Sequence, residues 1–150
     1  MSLEPTVALH TAARITMLAL VVWREARGEE LEGQLAVAFS IVRRTEVGGW
    51  WGTNIFDVVR KQWQYSSMTD PHDRQLTLWP REDAVWFRCL DAATKACFGA
   101  APNPVLGADS YFDDSIQPPA WAKPQFLVRK VGRLSFYNCN EANKQRTPSV

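Results

Sequence analysis

The apolar positions in the first part of the chain follow a helical period. A helix is predicted over Thr11–Ala26, because apolar residues recur there at spacings of three and four. Its middle, Met17–Trp23, is apolar on every side, which is typical of a helix buried in a core. Glu25 continues the apolar stripe at the end of this helix. Gly28 follows, and it is predicted to cap the C-terminus of the helix.

Two further segments have helical patterns and suitable ends. Leu31–Arg44 has an apolar stripe, an acidic first turn and a basic last turn, and both charged ends complement the helix dipole. Pro80–Phe98 has Pro near its start and is followed by Gly99, an arrangement common at helix ends. Its predicted first turn carries Glu82 and Asp83. Both segments are therefore predicted helices.

The remaining segments lack this period. Thr45–Trp79 is predicted to be mostly irregular, with a short helix over Ile55–Arg60, and its aromatic content favours a functional segment. Later, Val105–Phe112 is a predicted strand. Phe126–Tyr137 is a predicted hairpin that turns near Val131-Gly132. The fold class is therefore predicted to be α+β, with helices first and a small antiparallel sheet late.

Length and charge limit the organisation of the protein. The chain has 150 residues, which suits one domain over residues 1–139 and a flexible polar tail over residues 140–150. A net charge of +1 is too weak to attract nucleic acid. The longest apolar run is Met17–Trp23, whereas a membrane span needs about 20 residues and a signal peptide ends at small residues. We therefore expect no nucleic-acid partner, no membrane span and no signal peptide.

The three cysteines and two histidines form no recognisable site. Cys89 and Cys97 lie on one predicted helix at a separation of ~12 Å, too far for a disulfide, and Cys139 leaves the count odd. The thiols are therefore predicted to be reduced, and buried structural cysteines are inert. Since the Cys and His spacings match no zinc site, we expect neither a metal nor a cofactor.

Glu25 is the sharpest candidate for catalysis. A carboxyl group half-buried at the end of an apolar stripe should have a raised pKa, as a general acid working near neutrality requires. The alternative is an ordinary helix-end glutamate that pairs with Arg24, Arg27 or Arg43. Glu29, four residues later, is the nearest rival.

A second constellation could bind a sugar. The chain has seven Trp, and the run from Trp63 to Ser67 offers two aromatic rings beside amide and hydroxyl groups. Such groups suit a sugar-binding wall, with Gln64, Tyr65 and Ser66 as candidates. A turn packed on the core is the alternative. The neighbouring Trp50-Trp51 pair could line the same cleft or merely anchor a loop, and the place of Trp79 is open.

The late strand adds two candidates and several carboxylates. Tyr111, at the end of the strand, could donate to a substrate oxygen, and Trp121 follows in a Pro-rich loop; core packing is an equal alternative for both. A hydrolytic glycosidase usually needs a second carboxylate about 5 Å or more from the first. The candidates for it are Asp70, Asp73, Asp113 and Asp114, each of which could instead belong to a solvated turn.

Several motifs resemble the spore cortex-lytic enzyme family of cell wall hydrolases. They occur in the order of that family and span about residues 15–137: Trp23–Glu29, Glu32–Ala38, Gln64–Ser66, Gly107–Phe112, Pro119–Ala122 and Val128–Tyr137. The first motif, WREARGE, is the most specific. In the late strand this chain has Ser110 or Phe112 where the family often has His.

The resemblance implies a lysozyme-like α+β domain that cleaves bacterial peptidoglycan between N-acetylmuramic acid and N-acetylglucosamine. Members are lytic transglycosylases, and Glu25 matches the catalytic first Glu of their motif. It would protonate the leaving oxygen and then activate the 6-hydroxyl of the sugar, without a second carboxylate. Substrate contacts are expected from Gln64, Tyr65, Ser66, Tyr111 and Trp121.

The resemblance leaves other functions open. A muramidase would use water in place of the 6-hydroxyl, a non-catalytic module would bind peptidoglycan without cleaving it, and a structural protein would expose an apolar patch without a cleft. A zinc amidase is disfavoured because no zinc ligand set is present. We expect a monomer that is made in the cytoplasm and acts on the cell wall, as a bacteriophage endolysin released through a holin does.

Overall fold

The structure, a computed structural model, describes residues 4–140. Its helices in chain order are α1 (Pro5–Ala26), α2 (Leu31–Val47), α3 (Ile55–Arg60), α4 (Ser66–Thr69) and α5 (Ala84–Phe98). The strands are β1 (Ser110–Asp113), β2 (Leu127–Val131) and β3 (Leu134–Tyr137). Single 3₁₀ turns lie at Gly49–Trp51, Arg74–Thr77 and Pro124–Phe126. The predicted α+β class, with helices first and a small sheet late, is confirmed.

Helix α1 begins earlier than the apolar stripe predicted. The Glu4 carboxylate accepts hydrogen bonds from the backbone N–H groups of Thr6 and Val7 at 3.1 and 3.2 Å, and Pro5 occupies the first helical position. The helix ends at Ala26, as predicted. Its cap, however, is a right-handed Arg27, and Gly28 has no left-handed backbone, so the prediction that Gly28 caps the helix is wrong.

Helices α2 and α5 also differ from their predicted bounds. Helix α2 runs to Val47, past the predicted end at Arg44. Helix α5 begins only at Ala84, because the Asp83 carboxylate accepts a hydrogen bond from the Trp86 N–H at 3.0 Å and caps the helix. The predicted start at Pro80 is therefore wrong, and the acidic pair precedes the helix. Gly99 caps its end with φ +61°, as predicted.

The strands are shorter than their sequence pattern. Within the predicted strand Val105–Phe112, the first residues belong to a turn over 104–107, in which the Ala108 N–H donates to the Val105 carbonyl at 2.8 Å. Of the predicted segment, only its last three residues lie in a strand, as the start of β1. It pairs antiparallel with β3, and β3 pairs antiparallel with β2, so that the sheet order is β1-β3-β2. The predicted hairpin is confirmed, and it turns at Gly132 with φ +58°.

The core lies where α1, α2 and α5 pack on one another. One face of the second half of α1 is buried there, with Leu18, Val21 and Val22 inaccessible to solvent. Burying each such side chain contributes roughly 1.5–3 kcal/mol. A separate aromatic cluster of Phe112, Tyr137 and Trp121 packs beside the sheet. This buried face of α1 thus places Glu25 at the edge of the core.

Helix α1 is also long and apolar enough to cross a membrane, by length and composition alone. Core helices and N-terminal signal sequences pass the same test. The absence of a signal peptide and of a membrane span therefore stays a prediction. The predicted tail, residues 140–150, lies outside the described residues except for Asn140, so the domain boundary also stays a prediction.

The thiols of α5 are poor nucleophiles. Cys89 is buried and Cys97 half-buried, and neither forms a disulfide. Burial raises the pKa of Cys89 to about 11 and also raises that of Cys97. Since the thiolate is the reactive form, these residues do not provide the nucleophile of a thiol enzyme at neutral pH.

Candidate active site

Glu25 contacts a side chain that lies 86 residues later in the sequence. It lies in the last turn of α1, half-buried, and its Oε1 accepts a hydrogen bond of 2.9 Å from the Tyr111 hydroxyl of β1. Burial and the facing Glu25 carboxylate raise the pKa of Tyr111 well above its usual value. Its hydroxyl therefore remains a proton donor to Glu25 throughout the physiological range.

The surroundings of Glu25 favour its protonated form. Burial raises its pKa most, and the negative charge of Asp73 acts in the same direction. The hydroxyls of Tyr111 and Ser67 oppose this shift, but the net pKa of Glu25 is raised. The buried Ser67 Oγ does not reach full hydrogen-bond geometry with any described group, so we regard its opposing effect as weak. The result is a carboxyl group suited to donate a proton.

The neighbouring arginines do not neutralise Glu25. Among the described residues, no salt bridge includes it. Arg27 donates to Gln75 Oε1 at 2.6 Å, and Arg43 pairs with Glu46 at 3.5 Å. Arg24 also points elsewhere, so the alternative of an ordinary ion-paired helix-end glutamate is wrong.

Arg24 instead fixes the segment that faces Glu25. Its guanidinium is buried and donates to the backbone carbonyls of Ser67, Leu76 and Leu78 at 3.1–3.3 Å. These charge-assisted bonds tie residues 67–78 to the end of α1. Ser67 and Asp73 are thereby held close to the carboxyl group whose pKa they influence.

Glu25 and Tyr111 open into a cleft of about 640 Å³. One wall comes from residues 50–66 and the other from residues 110–121. The side chains that line the cleft are those of Glu25, Arg44, Trp50, Trp51, Trp63, Gln64, Ser66, Ser110, Tyr111, Phe112, Asp113, Ile116, Pro119, Trp121, Leu134 and Cys139. This size and this mixture of aromatic and polar groups are typical of a ligand site.

The structure brings together most of the predicted substrate contacts. Gln64, Ser66, Tyr111 and Trp121 all line the cleft with Glu25. Tyr65 does not line it: its side chain is 2% exposed and packs in the core, and burial raises its pKa to about 12. A direct sugar contact by Tyr65 therefore has no support in this geometry, since the residues on either side of it face outward.

The three tryptophans that the sequence left open are now placed. Trp50 and Trp51 line the cleft, whereas Trp79 does not. Trp79 is exposed beside α1, with the Arg24 guanidinium 4.7 Å from its ring centroid.

Arg44 is a residue of the cleft that the sequence pattern did not single out. Its buried guanidinium donates to the Asp109 carbonyl at 2.6 Å, to Ser110 Oγ at 3.4 Å and to Gln64 Oε1 at 2.9 Å. It also lies about 5 Å from the ring centroids of Trp51 and Tyr65. Arg44 therefore joins both walls of the cleft. The sequence indicated only a basic residue in the last turn of a helix, because its partners lie far away in the chain.

The four candidates for a second carboxylate each have a different hydrogen-bond or ion-pair partner. Asp113 lines the cleft, and a hydrogen bond from the Ser115 N–H lowers its pKa, so it is ionised. Asp70 accepts a bond from the His72 N–H, Asp73 caps a 3₁₀ turn, and Asp114 pairs with Lys130.

Glu29, the rival of Glu25, lies away from the cleft, and its carboxylate is close to Gly132 of the hairpin turn. Of the five acidic candidates besides Glu25, Asp113 is therefore the one whose side chain lines the cleft.

A second cavity of about 690 Å³ lies between the first half of α1 and α3. Its lining includes Val7, His10, Arg14 and Phe56. Its single carboxylate, Asp57, is occupied by the cap of α3 and by Arg60. We place the candidate active site in the slightly smaller cleft, because only that cleft combines a carboxyl group of raised pKa with a hydroxyl donor. In residues 4–140 no group of three His, Cys, Asp or Glu side chains could hold a metal ion.

Comparisons with known proteins address the whole domain. A family model described as Cell Wall Hydrolase matches residues 28–137. The catalytic domain of the germination-specific lytic transglycosylase SleB from Bacillus anthracis is similar in structure, with a TM-score of 0.66, 26% identity, and coverage of 83% of this chain and 93% of that chain. The catalytic domain of the Bacillus cereus SleB protein gives 0.65 and 25%, over 83% and 88% of the two chains. A search of curated proteins finds no match.

Proposed function

Because the chain belongs to the cell wall hydrolase family, we propose that it cleaves peptidoglycan glycan strands as a lytic transglycosylase with Glu25 as its single acid/base. The resemblance drawn from the sequence motifs is thereby confirmed at the level of the family. The match begins three residues after Glu25, so the role of this residue rests on its geometry and its motif. The observation that carries the proposal is a half-buried carboxyl group of raised pKa, hydrogen-bonded by Tyr111 inside the cleft.

In the first step, Glu25 acts as a general acid. Burial raises its pKa, so the carboxyl group keeps its proton to a higher pH than an exposed glutamate does, as a general acid requires. Because Oε1 accepts the Tyr111 hydrogen bond, Oε2 is the oxygen that carries the proton toward the substrate. The proton passes to the glycosidic oxygen between N-acetylmuramic acid and N-acetylglucosamine. The bond from C1 to that oxygen then breaks, and positive charge develops at C1.

In the second step, the same group acts as a base. The Glu25 carboxylate takes the proton from the 6-hydroxyl of the muramic acid while that oxygen bonds to C1. An anhydro sugar forms, no water is consumed, and Glu25 regains its proton. Tyr111 stabilises the carboxylate between the two steps, since its hydroxyl donates to Oε1. A hydrogen bond to an ionised group contributes about 1.5–3 kcal/mol.

The walls of the cleft supply substrate contacts. Gln64 and Ser66 present amide and hydroxyl groups on one wall, and Trp121 presents an aromatic ring on the other. The Gln64 side chain is fixed by Arg44, and the Ser66 hydroxyl donates to Asp73 at 2.6 Å. Side chains held in this way lose little conformational entropy when a glycan binds. We propose that Gln64, Ser66, Tyr111 and Trp121 contact the sugar chain.

Mass spectrometry of the muropeptides released from purified peptidoglycan tests the proposed reaction. Anhydro-muramic ends are expected from the wild-type protein. Reducing muramic ends would make the enzyme a hydrolase. A folded sample that binds peptidoglycan but releases no product would be a non-catalytic binding module, and the proposal would be wrong.

The variant Glu25→Gln tests the role of the residue. We expect it to release less than a few per cent of the wild-type product, because the amide cannot donate the proton. Its circular dichroism spectrum should match that of the wild type, since Gln has the same shape and still accepts from Tyr111. Asp70→Asn is the carboxylate-to-amide control and should retain activity, because Asp70 does not line the cleft and its carboxylate accepts from the His72 N–H.

A muramidase is the second candidate, and Asp113 favours it. This carboxylate is ionised and lines the same cleft, as a base that activates water would. Under the transglycosylase proposal, Asp113→Asn should retain the anhydro product. If that variant is inactive and the wild type gives reducing ends, the enzyme is a hydrolase with Asp113 as its second carboxylate.

A further inference from the structure

Two exposed tryptophan side chains stand at the mouth of the cleft. Trp63 is 82% exposed and Trp50 is 63% exposed, and both line the cleft that contains Glu25. Indole rings are among the largest apolar surfaces that a protein has, and they are usually buried for the most part. Trp79 is comparably exposed at 67% but lies outside the cleft. It provides a matched control for the argument.

The backbone at Trp63 is strained. Its φ is +71°, and within residues 4–140 it is the only residue other than Gly with a positive φ. Such a conformation suits Gly and is unfavourable for a bulky side chain. Strain of this kind persists where the surrounding structure imposes it, and it is concentrated at functional sites. The position therefore carries an indole ring although the backbone would favour Gly.

The turn that holds Trp63 is tied to the loop that holds Trp50. The Gln64 N–H donates to the Lys61 carbonyl at 3.2 Å and closes the turn. Lys61 then donates through Nζ to the Trp50 carbonyl, and its ammonium lies 4.2 Å from the centroid of the Trp50 ring. Arg44 holds the Gln64 side chain at 2.9 Å. The Trp50 ring and the backbone turn that presents Trp63 are therefore positioned before any ligand arrives.

We propose that Trp63, supported by Trp50, is a stacking platform for a sugar ring of the glycan strand. It forms a sugar subsite on the wall of residues 50–66, in addition to the contacts around Glu25. The C–H face of a pyranose packs on an exposed indole face, and the cleft that continues to Glu25 makes the glycan strand its natural occupant. This inference rests on the proposed function, because it assigns the same substrate to a further part of the same cleft.

The first test measures binding without cleavage. Glu25→Gln and Glu25→Gln/Trp63→Ala are titrated with a soluble tetrasaccharide of alternating N-acetylglucosamine and N-acetylmuramic acid. Loss of the ring should weaken binding roughly tenfold, which corresponds to about 1.4 kcal/mol. Glu25→Gln/Trp79→Ala should bind as Glu25→Gln does. Equal binding by the Trp63 double variant would overturn the subsite.

The second test separates a binding role from a structural one. Gly at position 63 relieves the positive φ, so Trp63→Gly should have a Tm at least as high as that of Trp63→Ala. In an otherwise wild-type chain, both variants should show the same rise in KM, with kcat within about twofold of the wild type. If the loss of activity instead follows the loss of Tm, Trp63 is only structural and the inference is wrong.

The two proposals can fail separately. If the wild type releases no muropeptides but tetrasaccharide binding still depends on Trp63, the catalytic proposal fails and the subsite stands. If the wild type cleaves peptidoglycan and the Trp63 variants bind and cleave normally, the subsite alone fails.

Discussion

At the scale of single residues, the Glu25–Tyr111 pair determines the pH range of the proposed acid. The Tyr111 hydroxyl lowers the pKa of Glu25, against the larger effect of burial. In Tyr111→Phe this lowering is lost, so the pKa of Glu25 rises further. The alkaline limb of the profile of kcat/KM against pH should therefore move to higher pH, because Glu25 keeps its proton longer. The maximum rate should fall about tenfold or more, because the carboxylate loses its donor.

Tyr137→Phe is the matched control for that measurement. Tyr137 is also buried, but its ring packs against Phe112 and Trp121, and no hydrogen bond to Glu25 is seen among the described residues. The alkaline limb of the pH profile of kcat/KM should therefore not move in Tyr137→Phe. A limb that moves to lower pH in Tyr111→Phe would contradict the assigned effect of the hydroxyl.

The same raised pKa has a consequence for stability. In the unfolded chain Glu25 titrates at about 4.3, and in the folded protein its pKa is higher. The folded state therefore binds more protons between these two values, and its stability decreases as the pH rises through them. Glu25→Gln removes this effect. The variant should equal the wild type in free energy of unfolding below about pH 4 and exceed it near pH 7, as measured by urea denaturation at both values.

A wild type that is equally or more stable at pH 7 would contradict a net raised pKa for Glu25. We expect the variant to be more stable but inactive, because active-site groups are often retained at a cost in stability.

Local sequence predicts some of these residues better than others. Glu25 could be found because its helical stripe and its motif are both local. Tyr111 and Asp73 were candidates by residue type and motif, but their proximity to Glu25 could not be predicted, and Ser67 was not singled out. These residues come near Glu25 only when the helices and the sheet pack. Between Trp63 and Tyr65 the sequence favoured Tyr65 for the cleft, but the structure buries Tyr65 and exposes Trp63. An irregular loop has no hydrophobic periodicity, so its sequence does not predict which side chains face outward.

At the scale of secondary structure elements, helix ends were harder to predict than helix interiors. The apolar stripes of α1, α2 and α5 were evident, because each repeats over several turns. The ends depended on single groups, such as the Glu4 cap and the Asp83 cap. Two glycines show the difference. Gly132 was correctly placed at a hairpin turn, whereas Gly28 was wrongly taken as a left-handed cap.

These two glycines should respond in opposite ways to alanine. Gly132 has φ +58°, and a Cβ there would lie 2.5 Å from Glu29 Oε2. Because the carboxylate can move, the main effect is the backbone, and Gly132→Ala should lower the free energy of unfolding by about 1–2 kcal/mol. Gly28 has no positive φ and nothing within 4 Å of an added Cβ, so Gly28→Ala should be neutral or stabilise by up to about 1 kcal/mol. Thermal unfolding of both variants checks the pair.

A strong destabilisation by Gly28→Ala would mean that Gly28 needs its conformational freedom after all. Gly132→Asn should fall between the wild type and Gly132→Ala, because Asn tolerates the left-handed region better than Ala does.

At the scale of the whole molecule, the sequence predicted the layers but not the cleft. Three helices and a late hairpin follow from periods within each segment. The cleft arises only when residues 50–66 meet residues 110–121, and side chains from α1 and α2 fix that meeting. Arg24 binds three carbonyls of the segment that faces Glu25. Arg44 donates to Gln64 on one wall and to Ser110 on the other. Long-range contacts of this kind leave no local pattern.

We therefore expect Arg44 to contribute both to the free energy of unfolding and to substrate binding in the cleft. Arg44→Met leaves the Asp109 carbonyl without its donor and frees Gln64, so the free energy of unfolding should fall by about 2–4 kcal/mol. Arg44→Lys should recover part of this, because an ammonium cannot reproduce the planar set of donors. Arg60→Met is the control: Arg60 is 67% exposed and pairs with Asp57 on one helix, which is worth within about 0.5 kcal/mol.

Urea denaturation of the Arg44 and Arg60 variants gives the stability change, and glycan-cleavage kinetics below the unfolding transition give the effect on the cleft. Because Gln64 and Ser110 both lose a partner, KM should rise in Arg44→Met even where the protein is fully folded. If Arg44→Met resembles Arg60→Met in both measurements, the two walls are joined by their own packing, and Arg44 is not the residue that assembles the cleft.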